Sequence, residues 1–191
     1  MIVGVLVAAG RGRRMGGSKQ LLPWTAEGAQ AKPLVAAAFD AVSGACDEMV
    51  VVLGHEAEAV AAALAPRAYR AVRADADAEM LESIRAGLAA ARAIDASASV
   101  LLHPADHPEV AAGTLAAILA AHESDPDRAV MPEHAGRGGH PVLIPAGLID
   151  RLMATHGDGG LRRYWIEHPG TRVRVRVDDA SAVRDIDRPG D

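Results

Sequence analysis

Three short apolar runs constrain what this chain can fold into more than any other feature. They cover residues 2–7, 49–53 and 99–103, and each is closed by glycine or proline within a few residues. Ala- and Leu-rich stretches at helical spacing separate and follow them, at 33–43, 56–65, 79–94 and 111–122. Strands that are apolar throughout and alternate with helices are typical of a parallel sheet covered on both faces. We therefore predict an α/β protein with three α/β/α layers and a mostly parallel, doubly wound sheet.

The C-terminal half is less regular. Residues 129–131 and 141–144 predict short strands around a glycine-rich turn, 148–153 and 160–167 predict helices, and 173–177 predict a strand with one exposed face. We expect a single domain over 1–191, since no repeat or low-complexity linker interrupts the chain. Ligands of such folds lie beyond the carboxyl ends of the strands, so the segments after Val7, His103 and Val177 are the candidate sites.

Composition excludes several classes of function. The formal net charge of −5 disfavours a nucleic acid or an anionic membrane as the main partner. Cys46 is the single cysteine, which rules out an internal disulfide or a thiolate metal cluster, and we expect it to be a small buried side chain. The first apolar run is too short to span a bilayer, and no basic segment precedes it. We therefore expect a soluble cytoplasmic protein.

A glycine-rich loop follows the first run, with the sequence Ala-Ala-Gly-Arg-Gly-Arg-Arg-Met-Gly-Gly-Ser-Lys over residues 8–19. Glycines let backbone N–H groups approach phosphate oxygens, and Arg14 and Lys19 can neutralise phosphate charge. The dinucleotide pattern G-x-G-x-x-G fails at Met15, and the Walker pattern fails because Ser18, not lysine, follows Gly17. The loop is thus predicted to bind phosphates through a different arrangement.

The longer pattern V-A-A-G-x-G-x-R-M-G-x-x-K-x-L-L-P over 7–23 resembles the opening signature of the MobA-like nucleotidyltransferases, with Gly12 where relatives often carry Ser. That family has the Rossmann-like, GT-A-like fold of nucleotide-diphospho-sugar transferases. The resemblance implies that Arg14 and Lys19 hold the β- and γ-phosphates and that Lys19 stabilises the transition state. The implied nucleotide-binding residues of this loop are Ala8, Ala9, Gly10, Gly12, Arg14 and Lys19.

Two further segments resemble motifs of the same family. In His-Pro-Ala-Asp-His-Pro over 103–108, Asp106 matches a strand-end aspartate that binds Mg²⁺, and His107 stands where relatives usually have Met. The terminal Asp-Ile-Asp-Arg-Pro-Gly-Asp resembles a closing motif in which Asp185, favoured over Asp187, completes the metal site. A zinc or iron site between His103 and His107 is the alternative, disfavoured because no third histidine is near in sequence.

Three segments resemble family regions beside the substrates. Ser83 matches a nucleotide-binding position, with an ordinary helical residue as the alternative. His140, in a Gly-His-Pro segment, and Asp158 and Arg162, in a Gly-Asp-x-Gly-x-Arg segment, match residues that line the acceptor pocket. An aspartate ahead of a helix is also a good N-cap, which is the alternative for Asp158.

These resemblances imply a Mg²⁺-dependent nucleotidyltransferase with Arg14, Lys19 and Asp106 as catalytic residues. The details are most similar to molybdenum cofactor cytidylyltransferases, which implies CTP, a molybdopterin-type acceptor and a transient molybdoenzyme partner. The methyl group of Ala9 would narrow the base pocket against a purine. A transferase acting on a sugar 1-phosphate or another small phosphometabolite, and a nucleotide-binding chaperone that delivers cofactor, are the alternatives.

Overall fold

The predicted strands form one sheet, and the predicted helices cover both of its faces. A computed structural model describes residues 1–10, 19–26, 28, 30–75, 79–155 and 160–186. The strands are β1 (Ile2–Ala8), β2 (Pro23–Trp24), β3 (Lys32–Pro33), β4 (Glu48–Leu53), β5 (Arg70–Arg73), β6 (Ser99–Pro104), β7 (Ala129–His134), β8 (Arg137–Gly138), β9 (Val142–Ile144) and β10 (Arg172–Arg176). The helices are α1 (Leu34–Ser43), α2 (Ala57–Leu64), α3 (Met80–Ile94), α4 (Ala112–Ser124), α5 (Ala146–Met153) and α6 (Gly160–Glu167).

The main sheet is mostly parallel, as predicted. Its strand order is β10-β7-β9-β6-β1-β4-β5, with β8 paired to β7. The central strand β1 pairs in parallel with β4 and β6, and β4 pairs in parallel with β5. Strand β9 runs antiparallel to both of its neighbours, β6 and β7, while β10 is parallel to β7. The carboxyl ends of β1, β4 and β6 therefore lie at one edge of the sheet.

Alternation along β1 divides the apolar core into two layers. Val3, Val5 and Val7 join a cluster on the face covered by α3, α5 and α6. Leu6 and Ala8 join the cluster on the opposite face, which is covered by α1, α2 and α4. A strand apolar at every position is needed where both faces are covered. The prediction of three α/β/α layers is confirmed.

Strand β5 was not predicted from the sequence. This strand, Arg-Ala-Val-Arg over Arg70–Arg73, lies at the edge of the sheet and is mostly exposed. Edge strands are often short and charged, which removes the apolar signal by which strands are detected. The predicted helices all occur, with bounds within two residues of those expected.

The composition also led to expectations about Cys46 and about membrane-spanning segments. Cys46 is partly buried against α1, and burial raises the pKa of its thiol to about 12, as suits an unreactive side chain. No helix in the part of the chain that the structure describes is long and apolar enough to cross a membrane.

Candidate functional site

The ends of β1 and β6 are joined by backbone pairing that continues into the following turn. Val7 lies opposite Pro104 in the register, and the Ala105 N–H donates to the Val7 carbonyl at 3.0 Å. The next residue is Asp106. Its turn therefore begins beside the point where β1 gives way to the glycine-rich loop, as the parallel arrangement predicted.

A contact between Lys19 and Asp106 unites two of the three predicted sites. Lys19 Nζ donates to Asp106 Oδ2 at 3.0 Å, although the two residues lie 87 positions apart. The Lys19 side chain is 14% exposed and the Asp106 side chain 34% exposed, so the pair lies at the molecular surface without being fully hydrated. An ammonium and a carboxylate are thus held together at the carboxyl edge of the sheet, where this fold class binds ligands.

Gln20, the residue after Lys19, was not identified from the sequence but makes two hydrogen bonds at the loop entrance. Its Nε2 donates to the Gly10 carbonyl at 2.7 Å and to the Ala8 carbonyl at 3.3 Å, and the residue is only 7% exposed. The side chain therefore ties the exit of the glycine-rich loop to its entrance. The only sequence signal was its position next to Lys19, since glutamine carries no charge and no motif of its own.

Ala9 packs inward at the start of the loop. It is 6% exposed and belongs to the core on the α3 side of the sheet. Gly54, at the end of β4, approaches it so closely that a Cβ on Gly54 would lie 2.5 Å from the Ala9 carbonyl oxygen. Any influence of Ala9 on a nucleotide base therefore acts mainly through the position of the backbone.

The C-terminal segment, the third predicted site, also reaches the Asp106 turn. The Ile186 N–H donates to the Asp106 carbonyl at 2.9 Å, which places the exposed Asp185 next to this turn. The charges of both Asp106 and Asp185 act on the nearby imidazole of His107. Two motifs that are far apart in the sequence therefore lie close together in the structure.

The Gly-His-Pro segment holds the C-terminal chain in place. The His140 N–H donates to the Ala182 carbonyl at 2.8 Å. A Cβ on Gly139 would lie 2.0 Å from the same oxygen, so only glycine permits this approach. The predicted acceptor residue His140 is therefore brought next to the segment that carries Asp185.

Three histidine rings lie behind the carboxylates. The ring centroids of His103 and His107 are 6.1 Å apart, and those of His107 and His140 are 5.1 Å apart. His103 Nε2 lies 2.8 Å from the His107 carbonyl oxygen, which can only accept, so this nitrogen carries the proton. Burial is the main cause that lowers all three pKa values, to about 3 for His103 and about 4 for His140. The three rings are therefore neutral near pH 7.

The alternative of a zinc or iron site at these histidines lacks a ligand set. Within the described ranges, no group of three or more His, Cys, Asp or Glu side chains is arranged to hold a metal ion. The partly exposed Asp106 and the exposed Asp185 instead offer carboxylate oxygen atoms beside the same turn. Such hard donors suit Mg²⁺ or Mn²⁺, which take one or two carboxylates and complete their shells with water and phosphate oxygens. The residues present therefore fit a divalent cation of this kind.

Two further predicted residues, Ser83 and Arg162, lie on helices. Ser83 lies in α3 and is 4% exposed, so it offers a ligand little surface, as the alternative of an ordinary helical position expects. Arg162 is exposed on α6. The predictions for Gly12, Arg14, Asp158 and Asp187 fall outside the described residues.

Comparison with known proteins shows the family to which the chain belongs. The model of the MobA-like NTP transferase domain matches residues 4–173. The chain therefore belongs to the MobA-like NTP transferase family, a class of nucleotidyltransferases whose substrates are a nucleoside triphosphate and a phosphorylated acceptor.

Three known proteins are similar to this chain over most of its length. Nicotine blue oxidoreductase of Paenarthrobacter nicotinovorans is 34% identical over 97% of this chain and 92% of its own length. The crystal structure of Rv0371c from Mycobacterium tuberculosis H37Rv superposes with a TM-score of 0.81, at 28% identity over 97% of this chain and 92% of that one. A nucleotidyl transferase from Methanothermobacter thermautotroptrophicus gives a TM-score of 0.79, at 28% identity over 98% and 92% of the two chains. Rv0371c has also been crystallised as a manganese complex.

Proposed function

We propose that this protein transfers a nucleoside monophosphate from a nucleoside triphosphate, with CTP favoured, to a phosphorylated acceptor of the molybdopterin type, and releases pyrophosphate. The observation that carries the proposal is the 3.0 Å contact between Lys19 and Asp106 across the ends of β1 and β6. It joins a cation beside a glycine-rich loop to a carboxylate suited to a divalent metal, and triphosphate transfer requires both.

In the proposed reaction, a phosphate oxygen of the acceptor attacks the α-phosphorus, and the bond from that phosphorus to the bridging oxygen of pyrophosphate breaks. The Lys19 ammonium stabilises the negative charge that moves onto the leaving pyrophosphate, together with Arg14. Asp106 and Asp185 are the residues that would hold Mg²⁺. When bound, the ion would neutralise charge on the phosphates.

No general base is needed, because an acceptor phosphate is already ionised near neutral pH. The buried histidines are consistent with this. Their lowered pKa values keep His103 and His140 neutral, so neither adds positive charge to a site that must bind a metal ion. We assign His140, Asp158 and Arg162 to the wall of the acceptor pocket. For His140 the assignment is supported by its position beside the C-terminal segment.

The choice of CTP and of a molybdopterin acceptor rests on the similarity of the motifs to cytidylyltransferases. Because the Ala9 methyl is buried, its proposed influence on the base works through the path of the backbone beside Gly54. A sugar 1-phosphate or another small phosphometabolite is the acceptor if molybdopterin fails.

One comparison favours a second candidate function. The relative with 34% identity is called nicotine blue oxidoreductase, a name that denotes a redox activity. The phosphate-binding region that we assign to a triphosphate would also suit the diphosphate of a dinucleotide. A reductase that uses a reduced nicotinamide dinucleotide and a coloured organic acceptor is therefore the alternative.

Pyrophosphate release tests the proposal directly. The wild-type protein is assayed with Mg²⁺, each of the four nucleoside triphosphates and each class of acceptor, and with a reduced nicotinamide dinucleotide and dye in parallel. We expect release with CTP and molybdopterin. Dye reduction without pyrophosphate release would instead establish the oxidoreductase alternative, and tight nucleotide binding without either reaction would favour a cofactor-delivery chaperone.

Asp106→Ala should lower turnover by about a hundredfold or more while the fold is kept, because it removes a metal ligand. Asp150→Ala is the matched control, since the Asp150 side chain is 70% exposed on α5 and its contact is a 3.4 Å surface pair with Arg92. Unfolding curves of both variants verify the fold. Undiminished activity of Asp106→Ala would show that the metal assignment is wrong.

A further inference from the structure

The side chain of Gln20 makes an unusual pair of contacts for a residue beside a phosphate-binding loop. Both carbonyls that accept from its Nε2, those of Ala8 and Gly10, belong to the stretch where β1 ends and the loop begins. The residue is 7% exposed; its hydrogen bond to the Ala8 carbonyl is buried and that to the Gly10 carbonyl is partly buried. A buried carboxamide that donates to two carbonyls from one nitrogen holds a local backbone shape that neither the strand nor a helix supplies.

Those two carbonyls matter because of their charge. A carbonyl oxygen carries a partial negative charge, and one turned toward a triphosphate would repel it. A donor that engages both oxygens fixes them away from the ligand and leaves the N–H groups of the same backbone to turn inward. At Gly10, a Cβ would lie 3.4 Å from Gln20 Nε2, so the two residues are in close contact as well as hydrogen-bonded.

Gln20 and Lys19 belong to the same short turn. Lys19 begins the short 3-10 turn Lys19–Leu21, and the backbone of this turn is anchored where the Gln20 side chain reaches back to the loop entrance. From this turn the Lys19 side chain extends to Asp106, where its Nζ lies 3.0 Å from Oδ2.

We propose that Gln20 is a positioning residue of the phosphate site, which sets the Ala8–Gly10 backbone for an incoming polyphosphate and holds Lys19 opposite Asp106. This inference rests on the proposed function for the identity of the ligand. Gln20 does not touch the reacting atoms. Its effect is on how tightly the phosphates are held.

Inorganic tripolyphosphate with Mg²⁺ is the probe, because it tests the phosphate site without any dependence on the base or the acceptor. Its binding is measured by calorimetry at pH 8.0 and pH 5.5 for wild type, Gln20→Met and Gln20→Glu. Gln30, the other glutamine of the chain, is exposed and provides the matched controls Gln30→Met and Gln30→Glu. Affinities are expressed relative to wild type at the same pH, which cancels the titration of the probe.

Gln20→Met should bind tripolyphosphate about tenfold more weakly at both pH values, since it removes the hydrogen bonds and keeps the length of the side chain. Gln20→Glu should be weakened further at pH 8.0, where an ionised carboxylate faces two carbonyl oxygens. At pH 5.5 it should recover severalfold, because a protonated carboxyl can donate one of the two bonds. A merely structural loss would not follow this pH dependence, and the ratio decides the question even if Gln20→Met folds poorly.

Equal affinity of Gln20→Met and wild type, or a Gln20→Glu ratio that does not change with pH, would overturn the positioning role. The proposed function fails separately. If wild type binds tripolyphosphate but releases pyrophosphate from no triphosphate, the transferase assignment is wrong. The role of Gln20 is then still decided by the affinity of Gln20→Glu relative to wild type at the two pH values.

Discussion

At the scale of single residues, Lys19 and Asp106 have two roles that compete. Lys19 Nζ bonds the same carboxylate that we assign to a divalent cation, at 3.0 Å. A cation that binds Asp106 must therefore either displace the Lys19 ammonium group or share the carboxylate with it. A triphosphate offers Lys19 other oxygen atoms and removes this competition. Metal alone should bind weakly, and metal together with triphosphate should bind tightly.

Lys19→Met should raise the affinity for Mn²⁺ alone by about three- to tenfold, as expected from the loss of a competing, partly exposed ion pair. The same change should weaken binding of a Mn²⁺–triphosphate mixture. Titration of free Mn²⁺ by electron paramagnetic resonance measures both. Lys32, the other lysine of the chain, pairs with Asp40 at 2.7 Å on α1, so Lys32→Met is the control and should leave both affinities unchanged. Unaltered Mn²⁺ affinity in Lys19→Met would exclude the competition.

These residues also show what sequence can and cannot reveal. Lys19 and Asp106 were identified because charged residues at fixed positions in a motif carry a recognisable chemistry. Gln20 was missed because its role comes from two hydrogen bonds to backbone carbonyls 10 and 12 positions earlier in the chain. Backbone acceptors exist at every residue, so the sequence holds no sign of which ones a glutamine will reach.

At the scale of secondary-structure elements, Asp179 joins α4 to the C-terminal segment. Its carboxylate accepts from the Ala111 N–H at 3.0 Å and the Thr114 hydroxyl at 2.7 Å, at the start of α4, and from the Ser181 N–H at 3.0 Å. Burial alone would raise the pKa of Asp179, but the hydrogen bonds from Ser181 and Thr114 and from the backbone outweigh it and lower the pKa. The segment that leads to Asp185 is thereby fixed to a helix.

Asp179→Asn should destabilise the protein by about 2 kcal/mol, because an amide cannot replace both carboxylate oxygens and leaves buried donors without acceptors. It should also raise the KM for the triphosphate by loosening the position of Asp185. Urea unfolding and pyrophosphate release measure the two effects. Asp178→Asn, at the exposed neighbouring position, removes the same charge and should change neither. Equal stability of the two variants would contradict this role of Asp179.

The elements themselves were largely predictable, for reasons visible in particular cases. Strand β1 was found because burial on both faces demands an unbroken apolar run. Strand β5 was not, since an exposed edge strand with Arg70 and Arg73 at its ends has no such run. The reversal of β9 also escaped prediction, because antiparallel pairing is set by how the neighbouring elements pack and not by its own three apolar residues.

At the scale of the whole molecule, the site exists because distant parts of the chain return to one edge of the sheet. The Lys19 contact to Asp106 spans 87 positions, and the Ile186 N–H reaches the carbonyl of the same aspartate from the far end of the described chain. The adjacency of β1 and β6 makes the first contact possible, and the docking of the C-terminal segment on Gly139 makes the second. The sequence predicted that these motifs belong together but not the strand order that brings them together.

Burial of histidines couples the stability of the whole molecule to pH. Burial lowers the pKa of His103 to about 3 and that of His140 to about 4, against 6.5 for an ordinary histidine. At pH values between the pKa in the folded protein and 6.5, each of these histidines binds a proton in the unfolded chain but not in the folded protein. The free energy of unfolding should therefore fall as the pH drops from about 6.5 toward 4, by up to about 1.4 kcal/mol per pH unit for each histidine.

His103→Gln should flatten this dependence by about 1.4 kcal/mol per pH unit between pH 6 and pH 4.5, because glutamine does not titrate. The variant loses stability at every pH, so the slope and not the absolute value is the readout. Urea unfolding at four pH values gives the slope. His55→Gln removes an exposed histidine and should unfold in parallel with wild type. Parallel slopes for His103→Gln and wild type would mean that His103 takes up protons equally in the folded and unfolded chain, contrary to its complete burial in β6.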